Sequence, residues 1–423
     1  MDKKDAQQSG LKPTLGLFDA TAISVGAIIG AGIFVVTGIS AGFAGSALIV
    51  SMLVAAVISL FTALSFAELT AWQAREGSIY EYTYQLISPF AGFLTGWMWV
   101  LSNTFAGAAV SLGFAYYFTA LFPSLPANWI AAMICMAFTA LNFFGTRQSA
   151  LLNNILVSAK LLVLAFFVIF GLGYMNTAHF TSFAPFEVGV LYGACYIFFA
   201  YGGFARVAVI AEEVKNAKRN VPRAILLSLA ISTAVYILVG IVAVGLVEAP
   251  RLSGSRSPLT DAIGTTGNTI AVYIVSVGGL LATASVLLTS ILGVSRMAYA
   301  MARRRDLPQA LNKLHSKYNT PYYSIWIVGF LMVLLVLLID LNSVVAVSTF
   351  ALLFYYALAN VCALRIRVQR RMYPRAVPIL GATTCLVLLI FIFFALLQAW
   401  ITGVTCLAMG AIYYFVKRKI QRK

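Results

Sequence analysis

Twelve stretches of the chain are almost continuously apolar and are closed by charges, glycine or proline. They lie near 17–40, 46–71, 92–118, 129–144, 152–174, 186–209, 224–247, 269–300, 322–339, 343–364, 376–397 and 400–416. A helix needs roughly 20 such residues to cross a bilayer core, so the pattern predicts an all-α integral membrane protein with 12 transmembrane helices. The opening residues, MDKKDAQQSG, are polar, and the first apolar run ends in no small-residue cleavage pattern. It reads as a first membrane span and not as a removable signal. An even number of spans places both termini on one side.

Composition agrees with the pattern. Of 423 residues, 61% are hydrophobic and 10% charged, with mean hydropathy +0.92, whereas about a quarter of residues are charged in soluble domains. The spans leave no room for a large soluble domain. Cys135, Cys195, Cys362, Cys385 and Cys406 fall inside or at the ends of apolar runs without CxxC pairing. They read as small core residues, implying neither a disulfide framework nor a metal site.

Twenty-nine Lys and Arg against 13 Asp and Glu give a net charge of +16, which in a soluble protein would suggest nucleic acid. Their positions argue otherwise. With the N-terminus assigned to the cytoplasm, 24 of the cations fall in inner segments. Only Arg251 and Arg256 fall in outer ones, while Lys160, Arg206 and Arg296 lie within spans. That alternation is the positive-inside rule, so the charge encodes topology in a cell membrane and nucleic acid is not an expected partner. Trp97, Trp99, Trp129 and Trp400 sit near span ends, where amphipathic rings favour the interface.

Two spans carry glycine clusters: Gly26-Ala27-Ile28-Ile29-Gly30-Ala31-Gly32-Ile33-Phe34 in the first, and Phe198-Phe199-Ala200-Tyr201-Gly202-Gly203-Phe204 in the sixth. Glycines in membrane helices commonly serve close packing. They also remove the barrier to non-helical backbone, which in lipid is tolerated only against protein or a watery cavity. The first and sixth spans are equivalent if spans 1–5 and 6–10 form two halves, and an odd number of spans per half makes those halves inverted. Paired glycine breaks at matching places point to an inverted-repeat transporter with its site at the midplane. There, freed amides at a half-helix N-terminus favour a carboxylate. The expected substrate contacts are Ile29, Gly30, Ala31 and Gly32 from one break and Phe199, Ala200, Tyr201 and Gly202 from the other, with Phe199 as the aromatic lid.

GAIIGAGIF is followed in order by FAEL (66–69), AEEVKNAKRNVPRAI after the sixth span, SRMAYAMARRRDLP after the eighth and NVCALRIR (360–367) after the tenth. This series resembles the amino acid–polyamine–organocation (APC) family of permeases over nearly the whole chain. The resemblance implies the leucine-transporter-type fold: a 5+5 inverted repeat with two additional C-terminal helices, working by alternating access on amino acids or related amines. The layout is then a cytoplasmic tail at 1–16, a first repeat at 17–174, a second at 186–364, two further spans at 376–416 and a basic cytoplasmic tail at 417–423. Departures are Ala217, where members often have proline, Arg303-Arg304-Arg305 in place of a common Arg-Asp-Gly run, and Ala205, where some members carry glutamate. The last puts in doubt any mechanism that uses that acid.

Lys160 lies about 12 Å deep in the fifth span by helix rise. A buried ammonium is costly and commonly functional, although its long stem also allows it to snorkel. Ala159-Lys160-Leu161-Leu162 resembles the position where sodium-independent APC members place a lysine in the volume that related carriers give to sodium. That resemblance would bring Lys160 near Gly26 and Ser285. A desolvated lysine among carbonyls can trade its proton as the cavity opens to alternate sides, so a proton is the expected coupling ion. Arg206 follows the second break by three residues and could neutralise an acidic substrate, but its place in the inner half favours a snorkelling contact or an inner gate with Glu68 or Asp19, themselves also readable as interfacial; Arg296 joins the same inner network.

With no carboxylate near the breaks, a neutral amino acid is the expected cargo. No cofactor is expected. The only histidines are His179 and His315 in loops, and no intramembrane catalytic constellation occurs, which argues against an enzyme. The chain lacks a TVGYG-like filter, which argues against a channel. Amino acid exchange without net proton movement is the nearest alternative to symport.

Overall fold

The computed structural model describes residues 13–421 except 31, 76, 123, 182, 370 and 396, and only the backbone at 146–149, 395 and 421. The principal helices are α1 (Leu17–Ile28), α2 (Thr37–Ala44), α3 (Leu48–Trp72), α4 (Ile79–Leu86), α5 (Pro89–Leu121), α6 (Ala127–Phe143), α7 (Thr146–Leu172), α8 (Val188–Tyr201) and α9 (Arg206–Val209). They continue with α10 (Ala217–Leu246), α11 (Ala249–Ser253), α12 (Pro258–Gly264), α13 (Thr269–Arg303), α14 (Tyr322–Leu338), α15 (Leu341–Arg365), α16 (Ala376–Ala395) and α17 (Leu397–Gln421). Among the described residues, nine helical runs are long and apolar enough to cross a membrane, and α6 and α14 are shorter apolar helices. The first of the nine, Leu17–Trp72, includes two of the stretches expected from sequence.

In lipid every backbone polar group must be satisfied within the segment, which is why these runs fold as helices. Helices α13 and α15 pack against α5, α10 packs against α1 and α3, and α8 packs against α2 and α3. The most apolar window of α15 is 78% buried, against 28% and 22% for α16 and α17, so the last two helices form the rim. Side chains such as Ile390, Phe394, Ile412 and Phe415 stay exposed there, as suits a surface that faces hydrocarbon. Polar side chains join the inner helices: Asn360 of α15 donates to Thr62 Oγ1 at 3.0 Å and accepts from Ser65 Oγ at 2.7 Å, both on α3.

One end of the bundle is basic and tied by ion pairs. Arg296 Nε meets Glu213 Oε1 at 2.8 Å with both side chains buried, and Arg304 grips Glu81 through two bonds of 2.6 and 2.5 Å. The chain before α1 is lashed to the same place. Thr14 and Leu15 donate their amides to Glu213 O at 2.9 and 3.0 Å, and Lys215 N donates to Leu15 O at 2.8 Å.

Candidate functional site

Both glycine clusters are interruptions. After α1, Ile29 takes extended backbone (φ −79°, ψ 101°), and a π-helical turn at Gly32–Val36 leads into α2. Ala31, one of the expected contacts, lies outside the described residues. After α8 the chain makes non-helical turns at 202–205 before the single turn of α9. The two interruptions press backbone to backbone: a Cβ on Gly203 would lie 2.2 Å from Ala27 C, and one on Gly32 would lie 2.6 Å from Ala200 Cα. Close packing and helix interruption are thus one feature, because only glycine permits this approach.

Interrupting a helix releases carbonyls that need donors. Tyr236 Oη of α10 lies 2.7 Å from Ile28 O and 3.1 Å from Ala200 O, so its proton can serve either break. Tyr356 Oη donates to Gly202 O at 2.9 Å, and Tyr117 Oη donates to Phe34 O. Lys160 of α7 is fully buried. Its Nζ donates to Gly26 O at 3.2 Å, to Ser285 Oγ at 2.6 Å and to Ile29 O. One ammonium therefore links α7, the first break and α13. Among the described residues its acceptors are two carbonyls and a hydroxyl, with no carboxylate, and a cation taken out of water is retained only where such oxygens replace its hydration.

A narrow cavity lies beside the breaks. Gly32, Phe199, Ala200, Gly202 and Gly203 of the breaks line it together with Ser102 and Asn103 of α5, Val286 of α13 and Ser348 and Tyr355 of α15. Ile29, Gly30 and Tyr201 do not line it; Tyr201 is fully buried with its ring 5.0 Å from that of Tyr236. The wall is braced by a reciprocal pair: Ser102 Oγ donates to Ser348 O, and Ser348 Oγ donates to Ser102 O, each at 2.8 Å. Sequence reasoning passed over these residues because each is a single small polar group in an apolar run. The run Ser102-Asn103-Thr104 in the middle of α5 was the available signal.

Arg206 is placed differently from its expected position. It joins the cavity wall, 5% exposed, donating from Nε to Asn103 Oδ1 at 2.9 Å and from Nη1 to Thr289 Oγ1 at 3.1 Å and Val286 O at 3.3 Å. It meets neither proposed gate partner. Glu68 faces Arg371 Nη1 at 4.0 Å and accepts from Met372 N at 3.2 Å. Asp19 accepts from Gly16 N at 2.9 Å and Asn154 Nδ2 at 2.8 Å. The expectation ran the sixth span inward from its break, which put Arg206 in the inner half, but after the turns at 202–205 its side chain joins the cavity wall beside the break. Arg296 does join the basic end, through Glu213.

The family model described as amino acid permease matches residues 15–416. Similar proteins include an uncharacterised transporter of Mycobacterium tuberculosis, 35% identical over 100% of this chain and 95% of the relative. A branched-chain amino acid permease of Bacillus subtilis is 32% identical over 97% and 94%, and the methylthioribose transporter of the same organism is 30% identical over 97% and 94%. The chain belongs to the amino acid permease family of APC transporters. It is a multi-pass membrane protein, and its relatives are transporters and permeases, not enzymes.

Proposed function

We propose that this permease carries an amino acid by alternating access, with uptake coupled to a proton through Lys160. The reading takes the chain as 12 spans, with 17–174 and 186–364 as inverted repeats and 376–416 outside them. Both termini then lie in the cytoplasm and the protein in the cell membrane, as the distribution of cations favours. The observation that carries the coupling is the position of Lys160 Nζ between Gly26 O, Ile29 O and Ser285 Oγ. An ammonium there fixes the first break to α13, and loss of its proton leaves two donors for three acceptors. Protonation therefore biases the geometry of the break, which is what coupling requires.

The cargo's α-carboxylate would meet the first amides of the helical run that starts at Gly32, where the dipole favours an anion, and Phe199 would close over it. The cavity lining holds no carboxylate to receive a cationic side chain. That is the basis on which the sequence suggested a neutral amino acid. The wall also holds Arg206.

The test is uptake of labelled amino acids into liposomes containing the purified protein, under an inward proton gradient or an inward sodium gradient. Stimulation by protons alone, lost in Lys160→Ala, is the expected result. Sodium-driven uptake unchanged in Lys160→Ala would overturn the coupling reading. Uptake confined to preloaded vesicles would make the protein an exchanger.

A further inference from the structure

Resting on the carrier reading above, we infer that the cavity takes an amino acid with an anionic side chain, whose carboxylate is received by Arg206. The buried cations among the described residues are Lys160, Arg206 and Arg296, and the buried acids are Glu68, Glu81 and Glu213. Glu213 is matched to Arg296, Glu81 to Arg304 and Glu68 to Arg371, all at the basic end. Lys160 and Arg206 are left beside the breaks with neutral partners only.

A buried guanidinium has five donors in a fixed fork that matches a carboxylate in two parallel bonds. In Arg206, Nε and Nη1 are held by Asn103, Thr289 and Val286, and Nη2 has no acceptor among the described residues. The residue is 5% exposed and lines the cavity, so the open edge of the fork is available to what enters. Its anchors come from α5 and α13, and Val286 also packs against Gly30 of the first break. Because the carrier reading gives the α-carboxylate to the amides of the run that starts at Gly32, Arg206 is left for a second carboxylate on the cargo. An anionic side chain would also supply the counter-charge that the wall lacks, whereas a neutral side chain would leave a desolvated cation uncompensated.

The experiment compares uptake of labelled glutamate, aspartate, leucine and lysine by liposomes containing the full-length protein. Glutamate or aspartate is expected to exceed leucine by at least about tenfold, and Arg206→Gln to reduce the acidic uptake by at least about tenfold. Heat stabilisation of the wild-type protein by glutamate or aspartate, and not by leucine, gives the same answer without a variant. Leucine carried while the acidic amino acids are not would overturn this inference and leave the carrier reading intact. Uptake of none of the four would overturn this inference, and uptake of no labelled amino acid at all would overturn both.

Discussion

Gly203 and Ala27 touch through their backbones: a Cβ at position 203 would lie 2.2 Å from the carbonyl carbon of Ala27 and 2.3 Å from its oxygen. No rotamer change relieves a clash with main chain. Gly203→Ala should therefore force the two breaks apart and abolish transport, at a cost of at least the about 1–3 kcal/mol typical of overpacking. Uptake together with thermal unfolding in detergent checks it. Wild-type transport in this variant would mean that the breaks do not need to touch.

Tyr236 Oη reaches Ile28 O and Ala200 O together, the one side chain among the described residues that does so. Tyr236→Phe keeps the ring against Tyr201 and removes only the donor. The expected result is a loss of about 1–3 kcal/mol of stability, the usual effect of leaving a buried carbonyl unsatisfied, and a several-fold fall in uptake. Thermal unfolding and initial-rate measurements on the same preparation test both parts.

Glu213 joins two devices at the basic end, since its carboxylate holds Arg296 and its carbonyl holds the amides of Thr14 and Leu15. Removing one member of a buried pair typically costs about 3–5 kcal/mol. Glu213→Gln should loosen that end and increase labelling of a cysteine introduced at Thr14. Labelling equal to that of the same cysteine in the otherwise unchanged protein would show that the pair does not hold the end closed.

Asp306 follows α13 outside the spans and accepts from Tyr80 Oη at 2.6 Å. Burial pushes its carboxyl above the ordinary carboxylate range, against the opposing effect of the Tyr80 bond and nearby cations. The folded protein thus binds this proton more tightly than the unfolded chain does. The Asp306 contribution is favourable at low pH and is lost as pH rises through the raised folded value. Asp306→Asn, which keeps an acceptor for Tyr80 and stays neutral, should flatten stability against pH in that window. Unfolding curves over a pH series read the difference.

Much of the bundle was legible because hydrocarbon imposes a simple rule on the chain. The expected stretches 46–71, 269–300 and 343–364 correspond to Leu48–Trp72, Thr269–Arg303 and Leu341–Arg365, bounded by polar residues that cannot enter lipid. The helix interruptions were legible for a similar reason, since glycine clusters are conspicuous in otherwise bulky runs. The short α4, α11 and α12 were not, being too brief to leave an apolar run of their own. The misplacement of Arg206 has a different origin. Counting residues along a helix fails where the helix unwinds, and Asn103 and Thr289, which fix the guanidinium, lie about 80 to 100 residues away in sequence. Phe199 was found because it adjoins a glycine break, whereas Ser102 and Ser348 carry no local mark of the pairing that braces the cavity.

If Lys160 couples cargo to a proton, protons must cross the membrane with the cargo. Vesicles containing the protein and an internal pH dye are mixed with the standard amino acids with no imposed gradient. Acidification of the lumen that accompanies cargo entry, and is absent in Lys160→Ala, is the result this account predicts. Cargo entry with no change of internal pH in the wild-type protein would contradict it.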